Sequence, residues 1–354
     1  VKKNVLDNLA AIDLFCGVGG ITHGFVKEGI NVVAGIDNDD TCKPSYEKNN
    51  KAAFISDDIA NVPSEEIARL FGNAKVRVLI GCAPCQPYSS LNAKRITHTS
   101  THESWQPLEH FIRIINEVKP EVVSMENVKE LIDFEKYPIF KRFLDTLETN
   151  GYSVDYKVVD ASDYGVPQKR KRLVLLASRI GEIKLLEGTY KKRKKTVRDA
   201  IGKLPAISDG ETFYKDTLHQ SSKLNDINKK RIRATPKNGG SATDWPYELL
   251  PDCYKKSSGK SYMTTVYGRM RWDEPSPTMT TNCSTLGTGR FGHPEQDRAI
   301  SLREAALLQS FPKNYDFIAG SNVKKTTLAK HIGNAVPVRL AQTIAKSIIE
   351  HVDL

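Results

Sequence analysis

The run DLFCGVGGITHGF, residues 13–25, reads as a buried strand that breaks into a glycine-rich turn and enters a helix. Gly17, Gly19 and Gly20 allow a ligand to approach the backbone closely, and the helix N-terminus offers unpaired N–H groups. A nucleotide-like ligand suits this arrangement; glycines standing alone would suit an ordinary strand-to-helix turn equally well. Outward from it, β-rich runs at 11–15, 31–36, 76–80 and 121–125 alternate with amphipathic stretches, which predicts an α/β fold with a mostly parallel sheet. In 105–118, Leu108, Phe111, Ile112, Ile115 and Val118 fall at helical spacing and Pro120 stops the helix, so this stripe should face the sheet.

With 354 residues the chain is long enough for two or three domains. Its 39% hydrophobic and 27% charged content is that of a folded soluble protein. No stretch approaches the ~18 to 20 apolar residues of a membrane span, and the opening VKKNVLDNLAAIDLF lacks a signal-peptide pattern, so a cytoplasmic location without membrane contact is expected. Six cysteines are too sparse for a disulfide framework. A formal charge of +10 attracts polyanions, and nucleic acid is the first partner to consider.

From about residue 152 the text turns strand-like, with VDYKVVD and then RLVLLAS; after residue 179 its composition shifts. The run KKRKK at 191–195 opens a region rich in Gly, Ser, Thr, Asn and Lys, without long helical periodicity, where a second domain is placed. Regular structure should return at Ser301, whose hydroxyl and Glu304 form a capping box, and a last helix should span 336–349.

Several residues on this frame could carry chemistry. Asp37 follows the second strand at the spacing where a carboxylate accepts from ribose hydroxyls, and Asp58 lies near the end of a third strand, placed to accept from an adenine amino group. Either alone is more often a cap or turn residue; in series they point to an adenosine-containing cofactor. The motif GCAPCQPYS, 81–89, ends the fourth strand and makes Cys85 a candidate nucleophile, against the bland reading of a buried inert thiol. Cys82 and Cys85 form C-x-x-C, yet the other cysteines form no second close pair for zinc, and Pro87 ill suits a redox helix start. The tripeptide GKS at 259–261 fails as a phosphate loop because Tyr254 stands at the earlier glycine. Glu126 and Asn127 end the fifth strand on the same edge as Cys85, where a glutamate can hold a heterocyclic base and carry its proton. In QKRKR, 168–172, strand alternation would point Arg170 and Arg172 to one face.

The order DLFCGVGG, PCQ, ENV, QKRKR and GNAVP, from Asp13 to Pro337, resembles the DNA cytosine-5 methyltransferases, especially bacterial enzymes of restriction-modification systems. The passages TVRDAIGKLP, YGRMRWDEPSPTMTT and GRFGHPEQDRAISLREAALLQSFP are similar too. The resemblance implies a Rossmann-like S-adenosylmethionine-dependent large domain at 1–180 and a smaller, mostly β or irregular target-recognition domain at 181–325. Residues 326–354 would return to the large domain, and double-stranded DNA would lie in the cleft. It assigns Phe15, Gly17, Gly19, Asp37, Asp58, Ile59, Pro84 and Asn334 to S-adenosylmethionine. Cys85 becomes the nucleophile, Glu126 the group that holds the cytosine, and Arg172, with Arg170, the holder of the ring carbonyl and of site geometry. Gln86, Ser89 and Asn127 would line the substrate pocket, and residues 90–105 match a mobile loop. Base flipping, monomeric action and pairing with a restriction endonuclease belong to the same implication. Where the family commonly has Gly and Pro this chain has Cys82 and Ala83, with Tyr88 for Phe and Cys16 for Ala; oxidation linking Cys82 to Cys85 is a resulting hypothesis. An RNA methyltransferase on the same scaffold and a silent DNA-binding protein are the competing functions.

Overall fold

The computed structural model describes residues 6–84, 105–255 and 264–353. Seven strands form one sheet: β1 (Leu9–Leu14), β2 (Asn31–Asp37), β3 (Ala53–Ser56), β4 (Val76–Gly81), β5 (Val122–Val128), β6 (Ser153–Asp160) and β7 (Lys171–Ser178). The helices in chain order are α1 (Gly20–Lys27), α2 (Lys43–Asn50), α3 (Ser64–Leu70), α4 (Gln106–Val118), α5 (Pro138–Thr149), α6 (Val197–Ile201), α7 (Asp226–Ala234), α8 (Asp252–Lys255), α9 (Leu302–Leu308), α10 (Lys325–Asn334) and α11 (Val338–Val352).

The sheet order is β3-β2-β1-β4-β5-β7-β6. Strands β1 to β5 run parallel, and β7 lies antiparallel between β5 and β6. Every residue of β1 and of β5 is buried, as expected of strands covered by helices on both faces. After β3 the chain crosses back to the other side of β1, so the carboxyl ends of β1 and β4 flank the switch point where open α/β sheets bind ligands.

Helix α4 buries the anticipated stripe, with Ile114 added, against the sheet core. It ends in a left-handed cap at Lys119, just before Pro120, and Phe111 meets Phe143 of α5 edge to face at 5.2 Å. Such ring pairs contribute about 0.5–1.5 kcal/mol beyond their area.

The chain clusters into two compact units. The first comprises residues 1–164, 171–188 and 336–354; the second comprises 165–170 and 189–335. These divisions differ from those at 180 and 325 read from the sequence. Residues 181–188 stay with the first unit because Ile183 and Leu185 are buried and Asp155 of β6 accepts the Leu185 N–H at 3.0 Å. Helix α10 belongs to the second unit, and the return begins at Val336. Among the described residues of the second unit, regular structure consists of short helices and isolated bridges. Its polar core is organised by Arg298, which forms a buried pair with Glu304, while Ser301 and Glu304 close the anticipated capping box.

Helix α11 packs on α1 within the first unit. A Cβ on Gly24 would stand 2.4 Å from the Ala341 Cβ, and Gln342 donates to Glu28 at 2.6 Å. Gly24→Val should therefore lower unfolding stability by about 1–3 kcal/mol through overpacking, measured by urea denaturation. A variant as stable as the parent would show that the two helices separate at no cost.

Candidate active site

The first turn is built by backbone geometry. Phe15 has φ 60, Gly17 φ 50 and Gly19 φ 82. A left-handed aromatic residue is a genuine outlier, and such strain collects at ligand sites. A Cβ on Gly17 would meet nothing within 4 Å, whereas one on Gly19 would strike Asn50 and Tyr46. Gly17 is thus the open glycine, and Gly19 is the one that packing requires.

Asp37 ends β2 and accepts the Gly17 N–H at 2.8 Å and the Asp39 N–H at 2.9 Å. It ties the glycine turn to the neighbouring strand, and a carboxylate at this edge is of the kind that accepts from hydroxyl donors. Asp58 is exposed beyond β3; it accepts from the Ala60 N–H and, at 3.2 Å, from the Asn38 side chain. Ile59 sends its side chain into the core, and its carbonyl accepts from Arg113 at 3.0 Å. Turn, Asp37 and Asp58 therefore share one edge of the sheet, and this set of backbone N–H groups and carboxylates fits an adenosine-containing ligand.

Beneath the turn lies Asp13, fully buried at the end of β1. Thr22 donates to its Oδ2 at 2.5 Å, while its Oδ1 has no hydrogen-bond partner. Burial, reinforced by the nearby Asp37 charge, pushes its pKa up to about 7. The Cys16 thiol beside it is likewise raised well above its ordinary range by burial, which leaves it inert.

The second half of the site lies across β4, β5 and β7. Cys82 follows β4, and its N–H donates to the Leu14 carbonyl at 3.3 Å. Glu126, on β5, is 2% exposed. The antiparallel register sets Val128 opposite Arg172, so Arg172 and Glu126 are diagonal neighbours on one face. Arg172 Nε lies 3.1 Å from Glu126 Oε1. That contact supplies charge without an aligned N–H, and Oε1 has no hydrogen-bond donor among the described residues. Glu126 Oε2 accepts from the Cys82 thiol at 3.1 Å.

Two of the expected site residues have buried partners of their own. Asn127 is 1% exposed and serves as a tether: its side chain donates to the Ala83 carbonyl at 3.3 Å and accepts the Val128 N–H. It holds the segment leading to Pro84. Arg170 precedes β7, which begins only at Lys171, so strand alternation does not reach back to it. Its guanidinium is buried in the second unit and donates to the carbonyls of Met279 and Gly333. Asn334, at the end of α10, is exposed in the second unit. Pro84 is exposed; Cys85, Gln86, Ser89 and the loop at 90–104 lie outside the described residues. Sequence reasoning missed the Cys82–Glu126 contact and Asp13, neither of which has a local signal.

The family model for C-5 cytosine-specific DNA methylases matches residues 9–350. The chain belongs to that family. A Type II methylase, M.HgiDII of Herpetosiphon aurantiacus, is 50% identical over 340 residues, covering 96% of this chain and 94% of the relative. The Type II methyltransferase M1.HphI of Haemophilus parahaemolyticus is 31% identical over 350 residues, covering 97% and 87%. A solved structure described as a prophage-encoded DNA modification methyltransferase of E. coli aligns with TM-score 0.71 at 22% identity, over 98% of this chain and all of the other. The doubly wound fold is thus shared, and the chain is a DNA cytosine-5 methyltransferase.

In this methyltransferase Asp13 links the site to pH. Its folded pKa of about 7 lies above the ordinary 3.8, so the folded state holds the proton more tightly. The stability from that proton is fully present below about pH 4 and is lost as pH rises through about 7. Asp13→Asn should remove this loss, so its melting temperature should gain on the parent's between pH 5 and 8. Parallel melting profiles would refute the assignment.

Proposed function

We propose that the enzyme transfers a methyl group from S-adenosylmethionine to carbon 5 of a cytosine flipped out of duplex DNA at a specific sequence, as the modification partner of a restriction endonuclease. The observation that carries the reading is Glu126: a buried carboxylate, charge-compensated by Arg172, with one oxygen lacking a donor. A cytosine amino group and protonated ring nitrogen are the donors such a group accepts. The relatives named as Type II enzymes support the pairing with a restriction system.

S-adenosylmethionine, when bound, supplies an electrophilic methyl on a sulfonium. Phe15, Gly17, Gly19, Asp37, Asp58, Ile59 and Pro84 would hold it, with Asn334 added by the resemblance. Asp37 would accept from the ribose and Asp58 from the adenine amino group.

Carbon 5 of cytosine is a poor nucleophile. The Cys85 thiolate adds to carbon 6 while Glu126 holds a proton at nitrogen 3, and the new S–C bond converts carbon 5 into an enamine-like centre. Arg172 compensates the Glu126 charge and would stand beside the ring carbonyl. Once carbon 5 has taken the methyl group, a base removes its proton, the electron pair reforms the ring double bond and the Cys85–C6 bond breaks. By the resemblance, Gln86 and Ser89 would line the entry to the pocket. The first unit would be the catalytic domain and the second the target-recognition domain, whose lysines and arginines hold phosphates while loops read bases. The chain would act as a monomer in the cytoplasm. No helix among the described residues is long and apolar enough to cross a membrane.

Incubating the protein with labelled S-adenosylmethionine and unmethylated genomic duplex DNA, with transfer RNA in parallel, tests the reading. The expected product is 5-methylcytosine at one short DNA motif, and Cys85→Ala should lower its rate at least about a thousandfold while leaving DNA binding within threefold. Product on RNA alone, or transfer undiminished in Cys85→Ala, would overturn it.

A further inference from the structure

A carboxylate that must meet a planar base needs its own plane held. The terminal torsion of glutamate is soft and broadly twofold, so burial of the Glu126 stem does not by itself decide which oxygen faces a ligand. Arg172 Nε lies 3.1 Å from Oε1 but does not align an N–H with it. The one aligned donor to this carboxylate among the described residues is the Cys82 thiol, 3.1 Å from Oε2. Cys82 is itself anchored, because its N–H donates to the Leu14 carbonyl at the end of β1. One residue thereby links the strand that opens the cofactor turn to the carboxylate on β5.

We propose that Cys82 is a positioning residue for methyl transfer: its thiol holds Oε2 of Glu126, so that Oε1, beside Arg172, is the oxygen presented to the cytosine. The thiol gains no bond to substrate. This inference rests on the role given to Glu126 under Proposed function. Cys82 is half-buried, and its side chain reaches across two strand ends, so its contribution is geometric. It acts on the chemical step rather than on cofactor affinity.

The test compares the full chain with Cys82→Ala, Cys82→Ser, Glu126→Gln and Cys82→Ala/Glu126→Gln, using S-adenosylmethionine and unmethylated genomic duplex DNA. Thermal melting confirms that each variant is folded. Losing a hydrogen bond to a charged group should lower kcat about five- to tenfold in Cys82→Ala, with the KM for S-adenosylmethionine unchanged within about twofold. Cys82→Ser restores a donor of similar size and should recover kcat to within about twofold of the parent. Adding Cys82→Ala to Glu126→Gln should cost less than about twofold more, because the two residues act as a unit. A Cys82→Ala enzyme as fast as the parent would overturn the proposal, as would an equal loss in both Glu126 backgrounds or a failure of serine to rescue. In those cases the parent still methylates DNA and the functional reading stands; no transfer by the parent on any nucleic acid would bring down that reading and this proposal together.

Discussion

Burying the Glu126 carboxylate on a strand packed on both faces creates a charge that the core cannot leave uncompensated. An isolated ion there would carry a large desolvation cost. The compensation comes from β7, inserted antiparallel between β5 and β6 so that Arg172 falls diagonally across from Glu126. A parallel strand in that position would need a crossover helix, and its register would be set by different residues. Reversal of β7 is therefore part of the site's electrostatics as well as its topology. A buried pair of this kind stabilises the fold only weakly, but loss of one partner leaves the other charge stranded, which is costly.

The opposite half of the edge answers to a different constraint. Phe15, Gly17 and Gly19 all adopt left-handed backbone, and Asp37 receives the Gly17 N–H from the adjacent strand. The carboxylate that would bind a ribose thus also shapes the turn beside it. Asp13, beneath, cannot share that arrangement. It is cut off from solvent and held mainly by Thr22, so burial raises its pKa where exposure would not. Of these two aspartates on neighbouring strand ends, Asp37 has a partner on each oxygen, whereas Oδ1 of Asp13 has none.

Much of the architecture was legible because strands buried on both faces leave short continuous apolar runs, and α4 carries its stripe at helical spacing. Asp37, Asp58 and Glu126 were legible because strand ends in a parallel sheet converge on one edge. Arg170 was not, since alternation counts residues but cannot say where a strand begins; its partners, Met279 and Gly333, lie over a hundred residues away. Asn127 is a related case. A polar side chain at a strand end looks available until the carbonyl it must satisfy, that of Ala83, is brought beside it by the fold.

Cys82 shows how local spacing leaves a distant partner unseen. In the sequence it pairs with Cys85, three positions on, and the familiar C-x-x-C pattern invites redox or metal chemistry. In space its thiol meets a carboxylate 44 residues away. A thiol directed at an anion serves as a donor, because its own ionisation would set two negative charges side by side. The contact gives Cys82 a role in orienting Glu126, and it joins the end of β1, where the glycine turn starts, to the carboxylate on β5 through a single residue.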